Sequence, residues 1–155
     1  WTPPSVQGSH TITVTARDPD QLTSSPMMGY VTVTVPQQQT GISGTGQLQV
    51  GMSGDLSNAR VAYYQNFDDW AADAPVAFVG ATGSGSSVTF TLVPVPPGTY
   101  YLDFWKDMDN DTVIDAGDFF GWYGSGAYPN NIQLTPFAVN QGFMTNLGVI
   151  TVYAL

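Results

Sequence analysis

The chain has 155 residues, enough for one medium-sized domain. All 12 acidic residues are Asp, and they outnumber 3 basic residues, which gives a formal net charge of −9. Only 10% of the residues are charged, 43% are hydrophobic, and there are 17 Gly and 11 Pro, a composition that excludes a coiled coil or a helical bundle. Arg17, Arg60 and Lys106 are too few to neutralise a row of phosphates, so we expect no nucleic-acid partner. No apolar run approaches the roughly 20 residues that span a bilayer, so we expect no membrane insertion.

The cysteine count and the charge balance bear on the compartment. With 0 Cys, the chain has no disulfide, no thiolate metal site and no Cys nucleophile. It begins at Trp1 without an initiator Met or a signal-peptide pattern, and we interpret it as a mature or excised piece of a longer protein. Acidic, Lys-poor, Thr- and Gly-rich β-proteins are more often exported than cytosolic. We therefore predict a secreted protein or one on the extracellular cell surface.

Two segments near the N-terminus alternate apolar and polar residues, the period of a half-buried strand. Ile12, Val14 and Ala16 share one face of residues 10–16, and Val31, Val33 and Val35 share one face of residues 30–35. The turn formers of residues 17–21 lie between them. The pattern HTITVTARDPDQLTSS…YVTVTV resembles the last two strands of bacterial Ig-like or cadherin-like repeats.

Such a strand pair is not a complete domain, because an Ig-like sandwich needs about 100 residues and seven strands. We therefore predict that residues 1–36 form an Ig-like strand pair that must pair with something else. They either complete a partner's sheet or fold back on their own chain. The polar residues 37–41 are the predicted linker to a body of residues 42–155.

The body shows short strand signals at regular spacing, the pattern of an all-β domain. The predicted strands are residues 46–52, 59–66, 75–80, 86–93, 99–105, 119–123, 131–139 and 147–154. Residues 67–74 are the one predicted helical turn. Val88, Phe90 and Leu92 form one inward set, and Tyr100, Leu102 and Phe104 form another; Tyr101, Asp103 and Trp105 are then expected to face outward.

A second resemblance covers most of the body, on GQLQVGMSGDLSNARVAYYQ…SVTFTLVPVPPGTYYLDFWKDMDNDTVIDAGDFFGWYG. This pattern resembles the transthyretin-like sandwiches related to the carboxypeptidase regulatory domain of bacterial surface proteins. The resemblance rests on the Pro97-Gly98-Thr99-Tyr100 turn and on the Asp-rich loop that follows the next strand. The resemblance implies an antiparallel β-sandwich, prealbumin-like or Ig-like, with a non-catalytic role.

The sharpest chemical motif is the Asp-rich loop of residues 107–118. Its carboxylates fall at positions 1, 3, 5, 9 and 12, which are the side-chain ligand positions of an EF-hand calcium loop, and its position 7 offers a carbonyl. The predicted Ca²⁺ ligands are Asp107, Asp109, Asp111, Val113, Asp115 and Asp118. The final Asp resembles the dockerin variant, whereas Thr112 stands where Gly normally turns the loop and no helices flank it. The alternative is a solvated acidic turn, which would hold mutually repelling carboxylates beside Lys106 alone.

Other features favour a structural role over catalysis. The chain has 1 His, no Glu, and neither a nucleophile elbow nor a phosphate loop, so we expect no enzyme activity. Asp68, Asp69 and Asp73 are interpreted as helix-capping residues or a weak second calcium site. The outward aromatic residues could stack on sugars, form a protein interface, or be ordinary surface residues.

Three functions of different classes follow, in order of preference. The first is an extracellular structural or assembly module, a calcium-stabilised sandwich that associates with copies of itself or with neighbouring domains, as a filament or surface-layer subunit formed by strand exchange. The second is a carbohydrate-binding or spacer module of a secreted enzyme or adhesin, with polysaccharide as its partner. A hydrolase with an unfamiliar Asp site ranks third.

Overall fold

A computed structural model describes residues 11–13, 30–32 and 38–155, and it divides the chain into two compact units, Trp1–Gln37 and Gln38–Leu155. In the first unit, β1 (Thr11–Thr13) pairs antiparallel with β2 (Tyr30–Thr32), so that Ile12 lies opposite Val31. The remaining positions of the predicted strands 10–16 and 30–35 lie outside the described residues. The predicted donation of this strand pair to a partner therefore stays a prediction.

The second unit is built almost entirely from strands, as predicted. Its elements are β3 (Gly41–Leu48), β4 (Arg60–Tyr64), α1 (Phe67–Ala71), β5 (Ala77–Gly80), β6 (Ser87–Leu92), β7 (Gly98–Lys106), β8 (Phe119–Trp122), β9 (Gly124–Ser125), β10 (Gln133–Leu134), β11 (Phe137–Val139) and β12 (Met144–Ala154). The strand expected at 46–52 instead begins at Gly41, the last residue of the predicted linker. The strand expected at 131–139 is divided into β10 and β11, with Pro136, which has no N–H to donate, between them.

Seven of these strands form one sheet in the order β5-β4-β7-β8-β12-β3-β6, and β11 pairs with the start of β7. The two end strands, β5 and β6, are consecutive in the chain. Just after β5, Thr82 forms an antiparallel bridge with Thr89 of β6, and each backbone N–H donates to the carbonyl of the other residue. The sheet is therefore nearly closed into a barrel, an arrangement compatible with a sandwich. The pairings in this sheet are antiparallel except that of β12 with β3, which is parallel. This pair departs from the antiparallel expectation, and the long chain between β3 and β12 is what permits it.

The inner face of this sheet carries the main core, and the predicted alternation is confirmed there. Val88, Phe90 and Leu92 are buried along β6, as are Tyr100, Leu102 and Phe104 along β7. Glycines of β3 make room for the largest rings of this core. A Cβ at Gly46 would overlap the ring of Phe104, and one at Gly44 would lie 2.7 Å from the ring of Phe90.

The opposite side of β7, called here the outer face, is also largely buried, which contradicts the prediction for two residues. Asp103 is 3% exposed and Trp105 is 7% exposed, whereas Tyr101 is half-buried. Trp105 packs with Phe120 and Trp122 in a second apolar cluster. Its partly buried neighbours are Trp70, Ile132, Leu134, Tyr153 and Leu155. The cover comes from α1, from β10 with the residue before it, and from the end of β12, which the period of β7 alone cannot reveal.

Candidate metal centre and a buried polar cluster

The Asp-rich loop joins two neighbouring strands of the sheet. Lys106 at the end of β7 pairs with Phe119 at the start of β8, so the residues 107–118 leave and re-enter the sheet at adjacent positions. The first and last acids of the loop, Asp107 and Asp118, are therefore brought side by side by the β-ladder itself. Asp118 is also tied to the chain end, because its carbonyl accepts a hydrogen bond of 2.9 Å from the Leu155 N–H.

Three of the predicted ligands converge. One carboxylate oxygen each from Asp107, Asp109 and Asp118 lies within 4.8 Å of the others, so this group could hold a metal ion. Asp111, Val113 and Asp115 belong to the same loop but are not part of this group, and all three are exposed. Whether they complete the coordination shell stays a prediction.

Local backbone bonds shape the loop around the first carboxylate. Asp107 accepts hydrogen bonds from the backbone N–H of Asn110, at 2.6 Å, and of Thr112, at 3.0 Å. Asn110 and Thr112 both adopt left-handed backbone conformations, with φ of 62° and 67°. The chain therefore makes its sharp turn at Thr112, the position that glycine occupies in the motif, although a β-branched residue is disfavoured there.

Asp118 forms the buried end of the group, with 1% of its surface exposed. Its two oxygens accept hydrogen bonds of 2.8 Å, one from the Trp105 indole N–H and one from the Met108 backbone N–H. The Trp105 ring belongs to the outer-face cluster, so this acidic group is anchored to the packed sheet through Asp118.

The charges in this loop repel one another. The pKa of Asp115 is raised, first by desolvation and then by the neighbouring charges of Asp111 and Asp109 and those of Asp118 and Asp107. A bound cation would remove that repulsion, and carboxylate oxygens are the ligands that hard cations prefer.

A second polar cluster lies on the outer face around Asp103. Oδ2 of Asp103 lies 3.0 Å from the Tyr64 hydroxyl and accepts a hydrogen bond of 3.0 Å from the Trp70 indole N–H. The same Tyr64 hydroxyl lies 3.0 Å from Oδ1 of Asp73. Arg60 forms an ion pair with Asp73 at 2.6 Å. Strands β4 and β7, helix α1 and the turn after that helix therefore meet at one buried carboxyl group.

Burial dominates the chemistry of Asp103. Desolvation raises its pKa to about 7, although the positive charge of Arg60 and the hydrogen bond from Tyr64 act in the opposite direction. The Arg60 hydrogen bond keeps the pKa of Asp73 below its usual value. Within residues 38–155, Oδ1 of Asp103 and Nε of Arg60 are buried without a hydrogen-bond partner.

Sequence reasoning missed this cluster, although the sequence carries a signal for it. The run Tyr100–Trp105 is apolar or aromatic at every position except Asp103, which is typical of a strand buried on both faces. Such a strand isolates its one acid from water.

The acids of α1 serve the helix and the sheet. Asn66 caps the helix by accepting a 2.9 Å bond from the Asp69 N–H, and its amide donates to the Asp69 carboxylate at 2.8 Å. Asp73 pairs with Arg60, and among the described residues the carboxylates of Asp68, Asp69 and Asp73 do not converge as those of Asp107, Asp109 and Asp118 do.

Of the alternatives for the aromatic residues of β7, sugar stacking on Trp105 is not available. Trp105 lies beneath the Arg60 guanidinium, at 4.9 Å from the ring centre, and is almost fully buried. Trp122 is likewise buried, stacked on Tyr153 at 5.3 Å between ring centres. These rings stabilise the outer face.

The fold and these two sites define an all-β protein with an acidic, metal-compatible loop. Comparison with protein-family models, with curated proteins and with solved structures finds no match to the chain. The transthyretin-like, Ig-like and dockerin-like resemblances therefore stay hypotheses. In the part of the chain that the structure describes, no helix has the length and apolar character needed to cross a bilayer.

Proposed function

We propose that the chain is an extracellular, non-catalytic structural module whose β-rich body is stabilised by Ca²⁺. The observation that supports this most directly is the group of Asp107, Asp109 and Asp118, whose oxygens lie within 4.8 Å at the end of the β7–β8 ladder. Calcium takes six to eight oxygen ligands, and the flanking Asp111 and Asp115 with the Val113 carbonyl would supply the rest.

A stabilising role follows from where the group sits. Asp118 connects the loop to Trp105 of the outer-face cluster and to the chain end at Leu155. A cation bound there would tie β7, β8 and the end of β12 together. It binds the folded loop and not the unfolded chain, so it would stabilise by about 2.7 kcal/mol at a free concentration about 100 times its Kd.

The test is the melting temperature of the full chain in Ca²⁺ and in EDTA. Asp109→Asn is the cleanest variant, because Asp109 is exposed and its one hydrogen bond in the described structure, 3.3 Å to the Asp111 N–H, is retained by an amide oxygen. We expect this variant to lose the calcium-dependent gain and to melt like the wild type in EDTA. Asp68→Asn removes an exposed charge elsewhere and should keep the gain. Equal melting temperatures of the wild type in Ca²⁺ and EDTA would refute the calcium role.

The assembly part of the proposal rests on the N-terminal strands. Residues 10–16 and 30–35 each alternate apolar and polar side chains, and an isolated strand pair is marginally stable in water. Edge strands of this kind recruit further strands, and a head-to-tail contact that does not close would propagate as a filament.

Association is measured on the full chain and on a variant lacking residues 1–36, by size-exclusion chromatography with light scattering. We expect the full chain to associate and the shortened chain, which keeps the compact unit Gln38–Leu155, to be a folded monomer. A monomeric full chain would refute assembly by strand exchange while leaving the calcium test unaffected.

A further inference from the structure

Helix α1 is held against the outer face mainly through the Asp103 cluster. None of its five residues is buried, and Phe67 is 53% exposed. Its inward contact is Trp70, whose indole N–H donates to Asp103 and whose ring packs on the outer-face aromatic cluster. The turn after the helix adds the ion pair between Asp73 and Arg60. The helix therefore covers a buried carboxyl group to which it is itself bonded.

The number of hydrogen atoms available in this cluster favours a protonated, neutral Asp103. The Tyr64 oxygen accepts a hydrogen bond of 3.2 Å from the Arg60 guanidinium and lies 3.0 Å from Asp103 Oδ2 and 3.0 Å from Asp73 Oδ1, but a tyrosine hydroxyl has one hydrogen to donate. One hydrogen can be shared between these two contacts, whereas a second hydrogen would complete both of them. Asp73 is ionised beside Arg60, so a second hydrogen in this cluster can come only from a protonated Asp103, which would then donate to Tyr64 while Tyr64 donates to Asp73.

The surrounding charges agree with this assignment. The charged and titratable groups that face Asp103 are Arg60 and Tyr64 from β4, and Asp73 from the turn after α1. On strand β8, the residue paired with Asp103 is Trp122, which carries no titratable group. Arg60 and Asp73 cancel, so the cluster is neutral when Asp103 is protonated and carries a buried negative charge when Asp103 ionises.

We propose that Asp103 and α1 form a pH-sensitive latch, in which the protonated carboxyl keeps the helix packed over it and the ionised carboxylate releases the helix. When Asp103 ionises, water must reach its carboxylate. The element that moves to admit the water is the one with the fewest buried contacts. Strand β7 cannot yield, because it pairs with β4 and β8 on its two sides and carries Leu102 and Phe104 in the main core.

The size of the effect follows from linkage. If the open state returns the pKa of Asp103 from about 7 to its ordinary value of 3.8, the ratio of open to closed molecules rises roughly thirtyfold between pH 5.5 and pH 8.5.

The test uses the full chain labelled with 5-fluorotryptophan and followed by ¹⁹F NMR across this pH range. The resonance of Trp70 is assigned by its loss in Trp70→Phe. Trp105 donates to Asp118 and lies beneath Arg60 in the outer-face cluster, so its resonance reports on that face and should respond less than that of Trp70. We expect the Trp70 resonance to report the rise in the open state, Asp103→Asn to remove that response, and Asp68→Asn, which changes a charge on the same helix, to keep it.

Three results would overturn the latch. The first is a Trp70 resonance of the wild type that does not respond between pH 5.5 and pH 8.5. The second is a response that persists in Asp103→Asn, and the third is an equal response at Trp105, which would indicate a change of the whole sheet. The first of these needs no variant, so the inference can be tested even if Asp103→Asn folds poorly.

Discussion

The Asp103→Asn variant should be less stable than the wild type at low pH and more stable than the wild type at high pH. In the wild type, the pKa of Asp103 is about 7 in the folded state and 3.8 ordinarily, so between these values the folded state binds more protons than the unfolded chain. The free energy of unfolding therefore falls as pH rises through this window. The loss of unfolding free energy is at most about 4 kcal/mol, because each unit of pKa difference corresponds to about 1.4 kcal/mol. Opening of α1 would expose the carboxylate to water and make the loss smaller.

The asparagine removes this dependence at a small cost that is the same at every pH. A protonated carboxyl oxygen donates to Tyr64 and accepts from Trp70 at the same atom, whereas neither the amide nitrogen nor the amide oxygen of Asn can do both. One hydrogen bond is weakened, which costs about 1 kcal/mol. The variant should thus be less stable than the wild type at pH 4 and more stable, by at most roughly 3 kcal/mol, at pH 8.5.

Urea unfolding of the two full-length proteins from pH 4 to pH 8.5 measures this crossing. The difference between the two profiles isolates Asp103, because the other acids are common to both. Asp73 and Asp55, whose pKa values are lowered, lose their contribution only as pH falls below about 4, outside the window. Parallel profiles for the two proteins would refute the assignment of a protonated Asp103.

Two further predictions concern the core and the loop. Phe104→Ala should lower the free energy of unfolding by about 3–5 kcal/mol, because the ring is 0% exposed and fills the space over Gly46; a loss below about 1 kcal/mol in urea unfolding would contradict this packing. Thr112→Gly should stabilise the metal-free chain by up to about 1 kcal/mol by relieving the left-handed backbone at φ 67°. Asn110→Gly, at φ 62°, should gain less because Asn tolerates this conformation, and an equal or larger gain there would contradict the reasoning.

The inner face was predictable from residue order where its strands mix apolar residues with Thr and Ser. In β6, Val88, Phe90 and Leu92 alternate with exposed hydroxyl residues. When one face of a strand meets water, this alternation assigns the apolar residues to the other face without ambiguity. The start of β3 was not predictable in the same way. The glycines before the predicted strand suggest a turn, but Gly44 lies in β3 because the ring of Phe90 occupies the space of a side chain there.

The candidate metal group was only partly predictable. The spacing of acids in residues 107–118 identifies a loop that can direct several carboxylates toward one centre. Which acids converge depends on the sheet, since the pairing of Lys106 with Phe119 is what sets Asp107 beside Asp118. Spacing along the chain contains no information on that pairing, and the burial of Asp118 against Trp105 comes from the same source.

The burial of Asp103 shows the limit of alternation most clearly. A period of two assigns Leu102 and Phe104 to one face and Asp103 and Trp105 to the other, but it does not say whether the second face meets water or protein. Here the cover is supplied by segments distant in sequence, with Trp70 in α1 and Tyr153 in β12. An acid under such a cover must be neutralised or paired, and the single hydroxyl hydrogen of Tyr64 between two carboxyl groups supports our proposal that Asp103 carries its own proton.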